Sequence, residues 1–174
     1  MKQITYLLSI MLLLLATSIS YSQQTETRQI QPFNSIKTGG LVQVHLQEGD
    51  KESMRLEVKG VGLNDIITIV ENGMLTVKTE GIYNGEDIQV YVTYKQLNSI
   101  AVGDTSKLYA KSVIKAKELT VSTSAGGDAF LAVEVDLLYI TMEGAGNLII
   151  TGSANAEKID TSKLEQVRSI EQVL

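Results

Sequence analysis

The chain has 174 residues, 44% hydrophobic and 20% charged, with one Pro, no Cys and no Trp, the make-up of one folded domain rather than of a disordered or collagenous chain. Without Cys there can be no disulfide, zinc-thiolate site or thiol nucleophile, and any imidazole-based triad or multi-histidine metal site would hang on the single His45. Fifteen Lys and Arg against 20 Asp and Glu leave a net charge of -5, which argues against nucleic acid or an anionic membrane surface as the partner.

Lys2 supplies a positive start, Tyr6 to Ala16 is an apolar run broken only by Ser9, and small residues follow. Ser20-Tyr21-Ser22 offers the small-x-small pattern of a signal peptidase site, so residues 1–22 are expected to form a helical export signal cut after Ser22. The run falls short of the roughly 20 residues that cross a bilayer core, so no membrane span is expected once it is removed. The absence of Cys excludes a lipid-modified mature N-terminus. The mature chain, from Gln23, is then destined for the periplasm, the cell surface or the medium.

From there the sequence reads as strands. Val42, Val44 and Leu46 alternate with Gln43, His45 and Gln47, as do Leu56 and Val58 with their neighbours, and Ile88, Val90 and Val92 with Gln89, Tyr91 and Thr93. That period of two is the mark of half-buried strands. Ile66 to Val70 and Leu75 to Val77 flank Asn72-Gly73, the pair that tolerates the positive dihedrals of a type I′ hairpin turn. A second turn is expected at Tyr83-Asn84-Gly85-Glu86, and Pro32 sits near the mature N-terminus, where a missing amide donor costs least.

After Leu97 the sequence repeats. Related units begin at Leu97, Leu119 and Leu138, with a fainter restart at Ile159, giving steps of 22, 19 and 21. Each unit joins an apolar strand to a second one through a small or glycine-rich corner. In this register Gly103, Ala125 and Gly144 form one column, Thr105, Gly127 and Gly146 a second, Ser106, Asp128 and Asn147 a third, and Leu108, Phe130 and Ile149 a fourth. Such units stack to bury an inner face that none can bury alone, so residues 23–162 are expected to be an all-β, single-domain β-solenoid, β-helix-like, with glycine-rich corners. The alternative is an antiparallel sandwich or meander of look-alike hairpins. In residues 163–174, Leu164, Val167, Ile170 or Glu171, and Val173 or Leu174 recur at three and four, the spacing of a short capping helix over an open edge; the alternative is a frayed tail.

Catalytic motifs are missing: no phosphate-binding loop, no G-x-S-x-G elbow and no H-E-x-x-H. His45 alternates with Val44 and Leu46 and reads as an outward strand residue. Asp104, Asp128, Glu134, Asp136 and Glu143 lie in the repeats, and a glycosidase would need two carboxylates roughly 5 to 9.5 Å apart. They share no column. Ser106, Asp128 and Asn147 instead suggest a hydrogen-bonding ladder at a turn. Ala125 to Phe130 contains an incomplete calcium-repeat fragment, occurring once, which is too little for a hard cation. Tyr83, Tyr91, Tyr94, Tyr109 and Tyr139 are candidate surface aromatics. The binding candidates are Asp104, Asp128, Asn147 and Tyr91, and no catalytic residue, metal or cofactor is expected.

Arg28, Phe33 and Ile36, then GGLVQVHLQEGD from Gly39, NGMLTV from Asn72 and IQVYVTYKQLNSIAVGD from Ile88 resemble, in that order, the bacterial family "putative auto-transporter adhesin, head GIN domain". The likeness runs over about residues 28–162. It implies a small exported β-solenoid in a surface or envelope setting and carries over no catalytic residue. Members of the family usually continue with further glycine-cornered coils, whereas this chain leaves the repeat after Ser162, as a truncated or a capped protein would. The expected function is non-enzymatic and adhesin-like, with a flat β face presented to a glycan or an envelope protein. The alternatives are a polysaccharide-cleaving enzyme using carboxylates such as Asp104 and Glu143, and a self-associating structural protein of the envelope.

Overall fold

The computed structural model describes residues 23–81, 87–163 and 169–173; the expected export signal with its Ser22 cleavage site, the turn at Tyr83-Asn84-Gly85-Glu86, and residues 164–168 and Leu174 of the tail lie outside them. The described chain is all-β. Its strands are β1 (Gln24–Arg28), β2 (Ser35–Gly39), β3 (Gln43–Glu48), β4 (Ser53–Lys59), β5 (Ile66–Glu71), β6 (Met74–Thr79), β7 (Asp87–Tyr94), β8 (Ser99–Val102), β9 (Lys107–Ala110), β10 (Ile114–Ser124), β11 (Asp128–Glu143), β12 (Asn147–Lys163) and β13 (Ser169–Val173), with one 3-10 turn at Leu63–Asp65. All belong to one curled sheet whose path runs β1-β4-β7-β3-β9-β11-β10-β8-β2-β6-β5, with β12 and β13 continuing from β11.

The alternating sequence explains the strands. In β7 the even-numbered residues Ile88, Val90, Val92 and Tyr94 are buried while their neighbours are not, and β3 buries Val44 and Leu46. The pairing of these strands is what the repeat encodes. β2, β8, β10 and the second half of β11 form one parallel ladder, and β3, β9, the first half of β11 and β12 form another. The repeats are therefore parallel rungs, not an antiparallel meander. Their inner residues, among them Ile36, Val44, Ile100, Leu108, Val121, Leu148 and Ile150, join one apolar core. Two of the buried polar residues there satisfy each other: Thr38 and Ser106 share a hydrogen bond of 2.8 Å between their hydroxyls.

Between the ladders lie the corners. Gly103 N donates to Thr38 O at 3.1 Å, Thr105 N to Ala125 O at 3.2 Å, and Gly126 N to Ala145 O, so each corner hydrogen-bonds to the next. They approach too closely for a side chain at two positions. A Cβ on Gly127 would stand 2.4 Å from the carbonyl oxygen of Val102, and one on Gly146 would stand 2.4 Å from that of Gly127.

The register differs from the sequence alignment by one residue in the first step. Ser99 pairs with Thr120 and Lys107 with Asp128, an offset of 21 in each case, and Asp128 then pairs with Asn147, an offset of 19. A slip of one residue exchanges the two faces of a strand. Leu108 accordingly lies with Ala129 and Leu148 in the core, whereas Phe130 stands outside with Tyr109 and Ile149. Lys107, not Ser106, is the neighbour of Asp128. The later restart is also shifted: Ile159 pairs with Ile140, and an irregularity between Thr141 and Glu143 then brings Glu143 opposite Lys163.

The expected hairpin forms at Asn72 and Gly73, whose φ values are 50° and 77°, and joins β5 and β6 antiparallel. The expected capping helix does not extend over Ser169–Val173. Those residues form β13, parallel to Asn147–Thr151. A short isolated helix is marginal, whereas a strand added to an open edge satisfies backbone groups on both chains.

The path of the curled sheet ends at β1 and β5, and Arg28 ties these two ends together. Its Nη1 donates to Ile66 O at 2.7 Å and Thr68 Oγ1 at 2.9 Å, and its Nη2 to Leu63 O at 2.7 Å and to Glu26 at 2.9 Å. Arg28→Ala is expected to destabilise the fold by about 2 kcal/mol through lost charge-assisted hydrogen bonds, read as a lower urea midpoint. Arg28→Lys should recover little, since one ammonium cannot reproduce the planar fork. Gly127→Ala should destabilise by about 1 to 3 kcal/mol, because the new methyl meets backbone rather than a movable side chain; an unchanged midpoint in either variant would contradict this account.

Candidate outer-face site

On its outer side the second ladder carries side chains in rows that run across the strands. Register places Arg55, Tyr91, His45, Tyr109, Phe130 and Ile149 in one such row, drawn from β4, β7, β3, β9, β11 and β12. The ring centroids of Tyr91 and His45 are 5.0 Å apart, those of His45 and Tyr109 5.3 Å, and those of Tyr109 and Phe130 5.0 Å, with interplanar angles of 23°, 18° and 8°. These spacings follow the separation of neighbouring strands. The Arg55 guanidinium covers the far side of the stack, 4.3 Å from the Tyr91 ring centre.

One residue pair further along the strands runs a polar row: Glu57, Gln89, Gln43, Lys107, Asp128 and Asn147. Gln89 Oε1 lies 2.7 Å from His45 Nε2, and Gln89 Nε2 donates to Asp87 at 2.6 Å. Asp128 Oδ1 accepts from Asn147 N at 3.0 Å and from Asn147 Nδ2 at 2.8 Å, and Lys107 Nζ stands 4.0 Å from Asp128. Arg55 pairs with Glu57. The charges of the row are thus largely matched in pairs. His45 Nδ1 is buried without a hydrogen-bond partner, held between the two tyrosine rings.

Stacking determines what this face can offer. Because the ring faces are turned toward one another, the surface presents ring edges, amides and ion pairs, which suit hydrogen bonding to a ligand better than stacking on one. Three of the four sequence candidates meet here. Tyr91 stands in the aromatic row, and Asp128 and Asn147 in the polar one. Asp104 does not join them: it lies on the exposed corner at φ 48°, close to Gly39. Glu143 pairs with Ser124, whose side chain abuts Gly103, so Asp104 and Glu143 are about two strand spacings apart, roughly 10 Å. Tyr94 is not a surface aromatic; it is 2% exposed, its hydroxyl lies 3.4 Å from Ser112 Oγ, and burial raises its phenol above the ordinary value of 10.0. Asp128 is engaged by Asn147 and Lys107, and among the described residues no group of three or more His, Asp or Glu could hold a metal ion.

Tyr109 is among the candidate surface aromatics of the sequence; His45, Phe130, Arg55 and Lys107 are not singled out there as site residues. Alternation does turn His45 and Tyr91 outward. It cannot show that strands separated by dozens of residues lie side by side, and the first repeat step was one residue too long.

The fold and this face define an all-β protein with a parallel, glycine-cornered ladder and one broad ordered outer surface. The chain belongs to the family described as "Putative auto-transporter adhesin, head GIN domain", whose model matches residues 32–167. A "putative adhesin" of Bacteroides fragilis is 16% identical over 88% of this chain and 76% of that one, with a TM-score of 0.68. A "putative adhesin" of Parabacteroides merdae is 17% identical over 88% and 77%, with a TM-score of 0.62. A "Putative lipid binding protein" of Parabacteroides distasonis is 13% identical over 88% and 78%, with a TM-score of 0.61. At these identities the likeness is one of fold. No curated protein matches the chain. No helix among the described residues is long and apolar enough to cross a membrane.

Tyr109 touches both His45 and Phe130, so Tyr109→Ala removes two stacking contacts at once. It should destabilise by about 2 kcal/mol, at roughly 0.5 to 1.5 kcal/mol per aromatic pair plus lost burial, and should weaken the near-ultraviolet circular dichroism of the folded protein. A variant as stable as the parent would show that the stack contributes nothing.

Proposed function

We propose that the protein is an exported, non-enzymatic, adhesin-like β-solenoid that presents the outer face of its second ladder to a glycan or to an envelope protein. Residues 1–22 serve as the signal, cleaved after Ser22; residues 23–162 form the solenoid; and 163–174 close its last coil. Parallel pairing at offsets of 21 and 19 residues, with each corner bonded to the next, supports the solenoid reading. Family membership supports the adhesive role and the surface or envelope setting.

The observation that carries the binding role is the polar row beside the stacked rings. Gln43, Gln89, Lys107, Asp128 and Asn147 recur once per strand on a face stiffened by Tyr91, His45, Tyr109 and Phe130. A rigid surface loses little entropy on binding, and modest contacts add along it. Asp104 and Glu143, the acids an enzyme would use, stand on the corner away from this row.

The mature chain should bind a component of a glycan array or be captured by an envelope fraction. Gln89→Ala with Asn147→Ala should weaken that binding by about tenfold, corresponding to one or two lost hydrogen bonds, and Asp104→Ala should leave it unchanged. Binding that survives the double substitution places the contact elsewhere. Turnover of a polysaccharide that is lost in Asp104→Asn would establish the enzymatic alternative, and concentration-dependent sedimentation would establish the self-associating one.

A further inference from the structure

The polar row of the outer face has a length and an alternation of its own. Glu57, Gln89, Gln43, Lys107, Asp128 and Asn147 stand on six neighbouring strands, one residue to a strand. At about 4.8 Å per strand separation the row runs for roughly 24 Å across the sheet. Donors and acceptors are interleaved along it. Among the described residues the Gln43 carboxamide makes no hydrogen bond, which leaves a donor and an acceptor together at the middle of the row. Lys107 Nζ, 4.0 Å from Asp128, has protons to spare, while Asn147 donates its Nδ2 to Asp128 and keeps Oδ1 as an acceptor. Hydroxyl groups, which both donate and accept, match such an order along its whole length.

Charge and apolar exposure narrow the ligand further. Within the polar and aromatic rows Arg55 pairs with Glu57 and Lys107 stands beside Asp128, so neither sign is in excess. Lys111, just beyond the rows, holds its ammonium 5.9 Å from the centre of the Tyr109 ring. The core of an interface between proteins is built on buried apolar and aromatic groups. Among the described residues the exposed large hydrophobic side chains are Leu41, Ile69, Met74, Val113 and Ile159, and none of them belongs to either row. A neutral, hydroxylated ligand suits this face better than an acidic chain or a protein. A groove of about 740 Å³, lined among others by Asn98, Lys115, Lys117 and Glu118, is a separate surface at the opposite ends of β2, β8 and β10 from the glycine corners.

We propose that the polar row binds a neutral, extended 1,4-linked β-glycan laid across the strands, with about one sugar to a strand. This gives the outer face its ligand class and rests on the binding role proposed for it above. A chain of that linkage is a flat ribbon that advances by close to one strand separation per sugar, so successive hydroxyls meet successive levels of the row. Gln43 gives and takes a hydrogen bond at the centre, Lys107 Nζ donates, and Asn147 Oδ1 accepts at the end.

Titration calorimetry of the mature chain with the β-1,4-linked hexaoses of glucose, mannose and xylose, and with the glucose chain oxidised to glucuronate, tests the assignment. At least one neutral hexaose should bind, and its trisaccharide at least about tenfold more weakly, since half the levels of the row are then left empty. The oxidised chain should bind no more tightly, and affinity for the neutral one should hold from low to high salt. Gln43→Ala should weaken binding by about tenfold, and Gln43→Glu, which keeps the shape but loses the donor, should do the same; thermal melts matching the parent would show that these variants are folded. Lys117→Ala, at an exposed position in the groove, should change nothing. No binding by any of the three neutral hexaoses would overturn the proposal. So would a trisaccharide as tight as the hexaose, tighter binding of the oxidised chain, full affinity in both Gln43 variants, or loss of binding in Lys117→Ala. Capture of an envelope protein that is lost in Gln89→Ala with Asn147→Ala, with no neutral hexaose bound, would overturn it while leaving the binding role of the outer face standing.

Discussion

Contact between successive corners sets the geometry of this protein. The Val102 carbonyl occupies the place of a Gly127 side chain, and the Gly127 carbonyl that of a Gly146 side chain. Hydrogen bonds link the same corners from rung to rung. A corner so constrained cannot slide by one residue against its neighbour, and in a structure of period two that residue decides which side chains are inside. The inner column of Leu108, Ala129 and Leu148 and the outer row of Tyr109, Phe130 and Ile149 are both consequences of that fit.

Outer rows inherit their order from the same register. Stacking of Tyr91, His45, Tyr109 and Phe130 requires no sequence proximity, only that four strands present ring-bearing residues at one level. The rings stiffen a surface whose exposed chemistry is mostly amide and carboxylate. The groove at the other ends of the first ladder is a different kind of surface, concave and lined by amides with both lysine and glutamate, so a single scaffold offers two faces of unlike character.

Much of the fold was legible in the sequence. Alternation in β3 and β7 announced their strands, Asn72-Gly73 announced a hairpin, and the glycine-punctuated units announced parallel repetition. The error lay in the first repeat step. Aligning Gly103 with Ala125 was reasonable by residue type, yet backbone pairing aligns Lys107 with Asp128 and so parts Phe130 from Leu108 and sets it beside Tyr109. Tyr94 was misread because tyrosine suits either face, although it continues the buried alternation of Ile88, Val90 and Val92. The tail was misread because spacings of three and four in so short a segment do not outweigh an available strand edge. On the outer face, Tyr91, Asp128 and Asn147 can be picked out one by one from the sequence; their neighbours there belong to strands whose adjacency no local pattern records.

The interval between rungs also bears on how such proteins diversify. Since each level rests on the one before through the same corner contacts, a tandem duplication of one unit of 19 or 21 residues would lengthen the body without redrawing its cross-section. The reach of the molecule and the number of outer-face levels could then change together in a single genetic event, while the Arg28 clasp at the other end is left untouched.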